Sequence, residues 1–264
     1  MELIQKQKAE AFRALHEADP FIIPNPWDAG SARVLAKLGF KALASTSSGL
    51  AFTLGLSDGE VTPDQVIDHV RKLDLATNLP VSADLENGYG PEPAAAATAV
   101  TRAAEAGAVG GSIEDYDPAG EIYGVDHAFE RVAAACEAAR GLSFPFVLTA
   151  RAENHIRGNP DLDDTIARLQ AYERAGADVL YAPGLRSGDE IRAVCKATSK
   201  PVNVLAHAGL SMSEITEAGA QRVSVGGSLT WVAIAAMAEA AQRMRDEGDF
   251  STLVIPNDLE ELLR

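Results

Sequence analysis

"AGADVLYAPG" at residues 175–184 holds a helix end, a turn and a buried strand in one short stretch. Gly176 stands where a helix stops in the left-handed conformation that glycine adopts without strain. Val179, Leu180 and Tyr181 form a short apolar run, and Pro183 with Gly184 breaks it. The same form recurs as "KLGFKALAS" (37–45), "AGAVGGSIE" (106–114) and "AGAQRVSVG" (218–226). A recurring order of helix, glycine and strand is the mark of alternating β and α elements, which build a parallel sheet.

Working outward, apolar β-branched runs fall at 21–27, 41–46, 80–86, 109–115, 146–152, 178–184, 201–207 and 222–227. Segments of helical periodicity lie between them, at 29–38, 62–77, 93–106, 126–140, 162–175, 187–198, 211–218 and 229–245. Eight βα units in 264 residues suit a closed barrel. An open doubly wound sheet is disfavoured, because no G-x-G-x-x-G follows the first strand. The predicted fold is therefore α/β, a single (β/α)8 TIM barrel. One domain spans 1–264, with the barrel core over about 20–228 and a C-terminal helical extension over 229–264. That extension either covers its own barrel or packs on a partner subunit.

The formal net charge is −15, which argues against partners such as nucleic acid phosphates or anionic membranes. No apolar run reaches the roughly 18 residues a membrane span needs. The first residues, "MELIQKQKAEAFRALHEADP", are mixed in charge and helical in pattern, with no apolar h-region of a secretory signal. Cys136 and Cys195 both fall in alanine-rich helical segments. Neither a disulfide framework nor a zinc site is expected, and a cytoplasmic location fits this usage.

In a barrel of this kind, chemistry sits at the C-terminal ends of the strands. Those ends carry Asn25 to Asp28, Ser45 to Gly49, Asp84 with Glu86, Glu114 with Asp115, Arg151 with Glu153, Tyr181 with Pro183, His207, and Gly226 with Gly227. Asp58 lies in the loop that follows the second strand. Asp84 and Glu86 are two residues apart, so strand alternation puts them on one face. Asp58, Asp84, Glu86 and Glu114 thus converge on one rim, where like charges repel unless a cation joins them. The seven lysines, at 6, 8, 37, 41, 72, 196 and 200, all avoid strand ends. All-oxygen donors favour Mg²⁺, or Mn²⁺, over zinc. The lack of a rim lysine also removes Schiff-base chemistry. Arg151 is the one cation at a strand end; it either grips a substrate carboxylate or pairs with Glu153 or Glu114. The hydroxyls and amides at 45–50 either hold an oxyanion or make a serine-rich turn. His207 is an acid, a base or a capping residue, and Gly226–Gly227 is a phosphate cradle or a close-approach point. His16, His69, His127 and His155 have no metal-ligand spacing.

The motifs "NPWDAGSARVL" (25–35), "STSSGLA" (45–51), "GLSDGE" (55–60), "SADLENGYG" (82–90), "GSIEDYDP" (111–118) and "TARAENHIRG" (149–158) resemble the isocitrate lyase/phosphoenolpyruvate mutase superfamily in order and spacing. The resemblance runs over about residues 20 to 230. It implies a (β/α)8 barrel with Mg²⁺ at Asp84, helped by Glu86, Glu114 and Asp58, partly through water. It implies that Ser48, Gly49 and Leu50 hold a substrate carboxylate or phosphonate and that Arg151 grips the substrate; Thr46, Ser47, Asp84 and Asn203 are further substrate-binding candidates. Asp58, Arg151, Tyr89 and His207 are the candidate catalytic residues. The resemblance also implies a homotetramer, a dimer of dimers, whose eighth helix swaps between neighbours.

The superfamily's lyases carry a K-K-C-G-H loop after the fourth strand, with the cysteine as proton donor. Here that loop is "YDPAGEIYGVDHAF" (116–129), without Lys, Cys or Gly-His. Its mutases and hydrolases of phosphonopyruvate keep a histidine after the sixth strand, where this chain has Tyr181 and Pro183. What remains resembles the oxaloacetate decarboxylase-like branch. The expected function is a Mg²⁺-dependent carbon–carbon lyase or decarboxylase acting on a small 2-oxo acid through a pyruvate enolate. Tyr89, Tyr181 or His207 would protonate that enolate. The rival expectations are a phosphorus–carbon mutase or hydrolase, isocitrate or 2-methylisocitrate cleavage, and a non-catalytic 2-oxo acid binder.

Overall fold

A computed structural model describes residues 2–254 and 259–263. The chain opens with α1 (Glu2–Leu15), β1 (Phe21–Ile23), α2 (Ala29–Lys37), β2 (Leu43–Ala44), α3 (Ser47–Leu54) and α4 (Pro63–Ala76). It continues through β3 (Val81–Asp84), α5 (Pro93–Glu105), β4 (Gly110–Glu114), the small strands β5 (Tyr116–Asp117) and β6 (Glu121–Ile122), and α6 (Val125–Arg140). Then come β7 (Val147–Arg151), α7 (Leu162–Ala175), β8 (Val179–Tyr181), α8 (Gly188–Ala197), β9 (Val202–Leu205), α9 (Met212–Glu217), β10 (Arg222–Ser224) and α10 (Ser228–Glu247).

Eight strands form one parallel sheet in the order β1-β10-β9-β8-β7-β4-β3-β2. The two ends of that order meet where the Ala44 N–H donates to the Pro24 carbonyl at 3.1 Å. The sheet is a (β/α)8 barrel, as the helix–glycine–strand repeat predicts. Gly39, Gly107, Gly176 and Gly219, the four turn glycines of that repeat, all have positive φ. Two elements were not legible in the sequence. Residues 47–54, expected as a turn, form α3, capped by the Thr46 hydroxyl. The loop after β4 folds into the antiparallel β5–β6 hairpin.

Two apolar layers hold the barrel. Outside the strands, α5 and α6 present Ala96, Ala99, Ala103, Ala128, Ala135 and Ala139, all buried. These small side chains let the helices pack close to one another and to the sheet. Below the strands, α1 closes the N-terminal mouth: Ala9 and Phe12 join Phe21, Ile23, Val109, Val147 and Val179 in one cluster. His16 follows α1 with Nδ1 2.8 Å from the Phe12 carbonyl and its ring edge-on to Phe12 and Phe21.

The middle of the barrel is polar. Ser82, Ser112, Thr149, Asn203, Arg222 and Ser224 occupy it, where barrels of this class usually place Val, Ile or Leu. A cavity of about 190 Å³ enters from the C-terminal end down to this layer.

Within α10 the one buried residue is Thr230, while Trp231, Val232 and Met237 are exposed. Much of the C-terminal extension is therefore a helix with an uncovered apolar surface. Residues 255–258 and 264 of that expected extension lie outside the described residues. Among the described residues, no helix is long and apolar enough to cross a membrane.

Candidate active site

The centre of the C-terminal rim is an ion-pair cluster. Arg151 ends β7, and its Nη1 lies 3.0 Å from Asp84 Oδ1 at the end of β3. Its Nη2 lies 3.1 Å from Glu114 Oε2 at the end of β4 and 2.9 Å from Glu153 Oε1. Burial works against the arginine's charge, but Glu153, Glu114 and Asp84 overcome it and raise the pKa. Glu114 is buried as well, which raises its pKa despite the pull of Arg151. Arg157 adds a second guanidinium, 3.8 Å from Glu114 Oε1 and 3.3 Å from Glu153 Oε2. It stacks 3.7 Å from the centre of the Tyr116 ring on β5.

A second network lies beside it. Asp115 Oδ1 accepts the Glu153 N–H at 2.8 Å, and Oδ2 pairs with Arg168 at 3.0 Å and accepts from the Tyr172 hydroxyl. Arg168 also donates to the Tyr123 carbonyl at 2.8 Å, next to the hairpin. These bonds fix both the loop carrying Glu153 and Arg157 and the base of the β5–β6 hairpin.

The turn after β3 has an unusual shape. Glu86 and Tyr89 have φ of 47° and 65°, a region that costs residues with a Cβ. Gly88 lies between them at φ 78°, where a Cβ would stand 2.8 Å from the Ala96 Cα. Buried Arg131 donates to the carbonyls of Asn87, Gly90 and Pro91, locking the turn from outside. β3 ends at Asp84, so strand alternation is not what sets Glu86 beside it. The left-handed turn does that instead.

Glu86 Oε1 is buried and, among the described residues, has no hydrogen-bond partner. Burial, then repulsion from Asp84 and Asp58, pushes the Glu86 carboxyl up to about 7. The Tyr89 hydroxyl is also buried and unpartnered, and burial and the Glu86 charge raise its pKa.

The remaining candidates fall as follows. Asp58 is exposed on the turn after α3 and borders both the barrel cavity and an adjoining cavity of about 370 Å³. Thr46, Ser47 and Ser48 line the barrel cavity, and the Ser47 N–H donates to Asp84 Oδ2 at 3.2 Å. The expected free amides at 49 and 50 are engaged. Gly49 donates to the Thr46 hydroxyl and Leu50 to the Thr46 carbonyl, because α3 begins there. The Leu50 side chain packs in the apolar core. Asn203 lines the cavity, between Arg222 and the Ser224 hydroxyl. His207 is exposed, lines neither cavity, and sits 3.1 Å from the Gly209 N–H that it accepts. Arg157, Tyr116 and Arg222 are the additions that strand ends could not reveal. Arg157 lies in a rim loop, Tyr116 on the β5–β6 hairpin and Arg222 at a strand start.

Among the described residues, no three acidic, histidine or cysteine side chains stand together as ready metal ligands. The four expected carboxylates border the two rim cavities, but not as a ready cluster of ligands. Arg151 occupies the centre between Asp84 and Glu114, and Asp58 stands out in solvent. The donor set still fits a cation that keeps much of its water, as Mg²⁺ does with one or two direct carboxylates. Asp84 would contact it, and Glu86, Glu114 and Asp58 would take its waters. The unpartnered Glu86 oxygen, whose pKa is raised by burial and then by neighbouring acids, is compatible with such a cation.

The sequence matches the Phosphoenolpyruvate phosphomutase family over residues 12–245. A 2-methylisocitrate lyase of Halalkalibacterium halodurans is 31% identical over 231 residues, covering 85% of this chain and 73% of that one. An oxaloacetate decarboxylase of Bradyrhizobium sp. (strain ORS 278) is 30% identical over 228 residues, covering 83% and 77%. The crystal structure of a candidate lyase/mutase from Burkholderia cenocepacia J2315 superposes with a TM-score of 0.95 at 52% identity, covering 98% and 96%.

The raised Glu86 pKa sets a pH dependence. Between the ordinary 4.5 and about 7, the folded chain keeps a proton that the unfolded chain releases. Metal-free stability therefore falls as pH rises through that window. Glu86→Gln removes the effect and should stabilise the metal-free protein by about 2–3 kcal/mol at about pH 8 in chemical denaturation. A wild type as stable as the variant there contradicts the strained carboxylate.

Proposed function

The chain belongs to the phosphoenolpyruvate phosphomutase family, and from that premise we propose a Mg²⁺-dependent carbon–carbon lyase that decarboxylates a small 2-oxo acid such as oxaloacetate. The observation that carries this reading is the Asp84–Glu86–Glu114 rim with its unpartnered Glu86 oxygen. A cavity of about 190 Å³ admits a substrate of only a few carbon atoms. Named relatives at 30–31% identity include an oxaloacetate decarboxylase and a 2-methylisocitrate lyase, both of which act on small acids.

The choice of decarboxylation over cleavage of a larger acid rests on the hairpin. It brings Tyr116 and Pro118 to the rim cavity, and its sequence from 116 to 122 holds no thiol or amine. Cys136 and Cys195 lie in α6 and α8, with burial pushing both thiols up to about 11. Loss of CO₂ from oxaloacetate needs no thiol acid. It needs an electron sink at the 2-oxo group and one proton for C3.

A Mg²⁺ ion held at Asp84 would supply the Lewis acid that polarises the 2-oxo group. The protein's own residues would do the rest. Arg151 orients Asp84 and Glu114 and keeps the rim from repelling an anion. Thr46, Ser47 and Ser48 offer hydroxyls to a carboxylate. The proton would come from a tyrosine. Tyr181 lines the cavity and is pushed up to about 12, mainly by burial, so it stays protonated. The Tyr89 hydroxyl is buried among the rim acids. His207 is less well placed for this role, being outside both cavities. The exposed apolar residues of α10 support a homotetramer in which that helix packs on a neighbouring copy.

Oxaloacetate, 2-methylisocitrate and phosphonopyruvate, each incubated with Mg²⁺, test the chemistry. Pyruvate formation from oxaloacetate is expected, lowered by about two orders of magnitude or more in Asp84→Asn. Inorganic phosphate from phosphonopyruvate as the main product would overturn the reading. Light scattering should give a mass of four chains of 27.8 kDa each, whereas a monomer would contradict the shared helix.

A further inference from the structure

The cavity that reaches Asp84 and Arg151 has a cation at its floor. Arg222, the first residue of β10, is 5% exposed and lines that cavity. Each of its nitrogens meets a neutral partner. Nε donates to Asn203 Oδ1 at 2.8 Å, Nη2 to Thr149 Oγ1 at 2.9 Å, and Nη1 to His16 Nε2 at 3.2 Å. A guanidinium has five N–H groups, so these three bonds leave two uncommitted. Among the described residues no carboxylate pairs with it. Burial pushes its pKa down to about 10, with only Tyr181 opposing.

His16 does not relieve this charge. Its Nδ1 is held to the Phe12 carbonyl, and burial with the nearby Arg222 pushes its pKa down to about 3, so the ring stays neutral. A buried cation with no counter-ion is costly, and an apolar residue would fill the space at less expense. The rim presents the opposite arrangement. Arg151 is committed to three carboxylates, and Arg157 lies between Glu114, Glu153 and the Tyr116 ring. Neither rim arginine has a carboxylate-free face like that of Arg222.

We propose that Arg222 determines substrate specificity by drawing a second carboxylate of a small dicarboxylic acid down into the barrel, between Ser82, Ser112 and Ser224. This rests on the 2-oxo acid reading above and narrows it to dianions. A dicarboxylate completes the missing ion pair; a monocarboxylate held at the rim leaves Arg222 unpaired. A site built around an unmet charge rejects the ligand that fails to meet it.

Malonate and propionate, which differ by one carboxylate, are the probes, titrated calorimetrically into the Mg²⁺-supplemented protein. Wild type should bind malonate the more tightly. Arg222→Met should weaken malonate by about tenfold or more and leave propionate unchanged, while Arg222→Lys should keep most of the preference. Equal loss of both ligands in a folded R222M would mark a purely structural arginine and overturn the proposal. So would an R222M that binds malonate like wild type, even where wild type decarboxylates oxaloacetate. A malonate preference that depends on Arg222, in a protein that turns over no 2-oxo acid, would keep the dianion site and sink the decarboxylase reading. Should R222M fail to fold, the crystal structure of wild type with malonate decides. A carboxylate within hydrogen-bond distance of the Arg222 guanidinium supports the proposal, and one held only at the rim overturns it.

Discussion

One guanidinium, that of Arg151, ties together carboxylates from three neighbouring parts of the barrel rim. Asp84 ends β3, Glu114 ends β4, and Glu153 follows β7, and all three lie within 3.1 Å of its nitrogens. Without it, three acids would share a poorly hydrated pocket. A buried charge stripped of its partner costs about 3–5 kcal/mol, a large share of the stability of an ordinary domain. The arginine is therefore a structural tie of the rim. It leaves one carboxylate, Glu86, without a direct ion pair among the described residues, and burial with the neighbouring acids raises its pKa to about 7.

The same division of labour explains the rest of the barrel. A polar middle layer gives up the apolar filling that usually stabilises such a fold. The apolar contacts sit elsewhere, in the alanine-lined helices around the strands and in the α1 residues that close the lower mouth. Inside the barrel, polarity runs as a column from Arg222 up to Asp84. Within that column charge changes sign, with a cation at the floor and an excess of acids at the rim. An acid with two anionic ends and a metal-binding centre matches such a gradient better than a neutral ligand would.

The barrel was legible because its signals are local. Gly39, Gly107, Gly176 and Gly219 each mark a helix end before a strand, and each adopts the positive φ that the pattern implies. The positions of Asp84, Glu114 and Arg151 follow once strand ends are located. Their partners follow less readily. Glu86 reached Asp84's neighbourhood through a left-handed turn rather than by strand alternation. Arg157 meets the rim from a loop, and Arg222 reaches inward from the start of a strand, where attention to C-terminal ends overlooks it. The helix at 47–54 was hidden because Ser47, Ser48 and Gly49 suit a turn as well as a helix start. There the Thr46 cap settles the choice. Long-range pairing of side chains has no periodicity, so spacing could not show it.

The cation at Asp84 is the premise on which the proposed chemistry stands. Calorimetric titration of Mg²⁺ into the protein near neutral pH, in buffers of different ionisation enthalpy, addresses it directly. The expected result is one site per chain with net proton release, because the Glu86 carboxyl near 7 must ionise as the cation arrives. Absence of Mg²⁺ binding, or binding with no proton released, would contradict it.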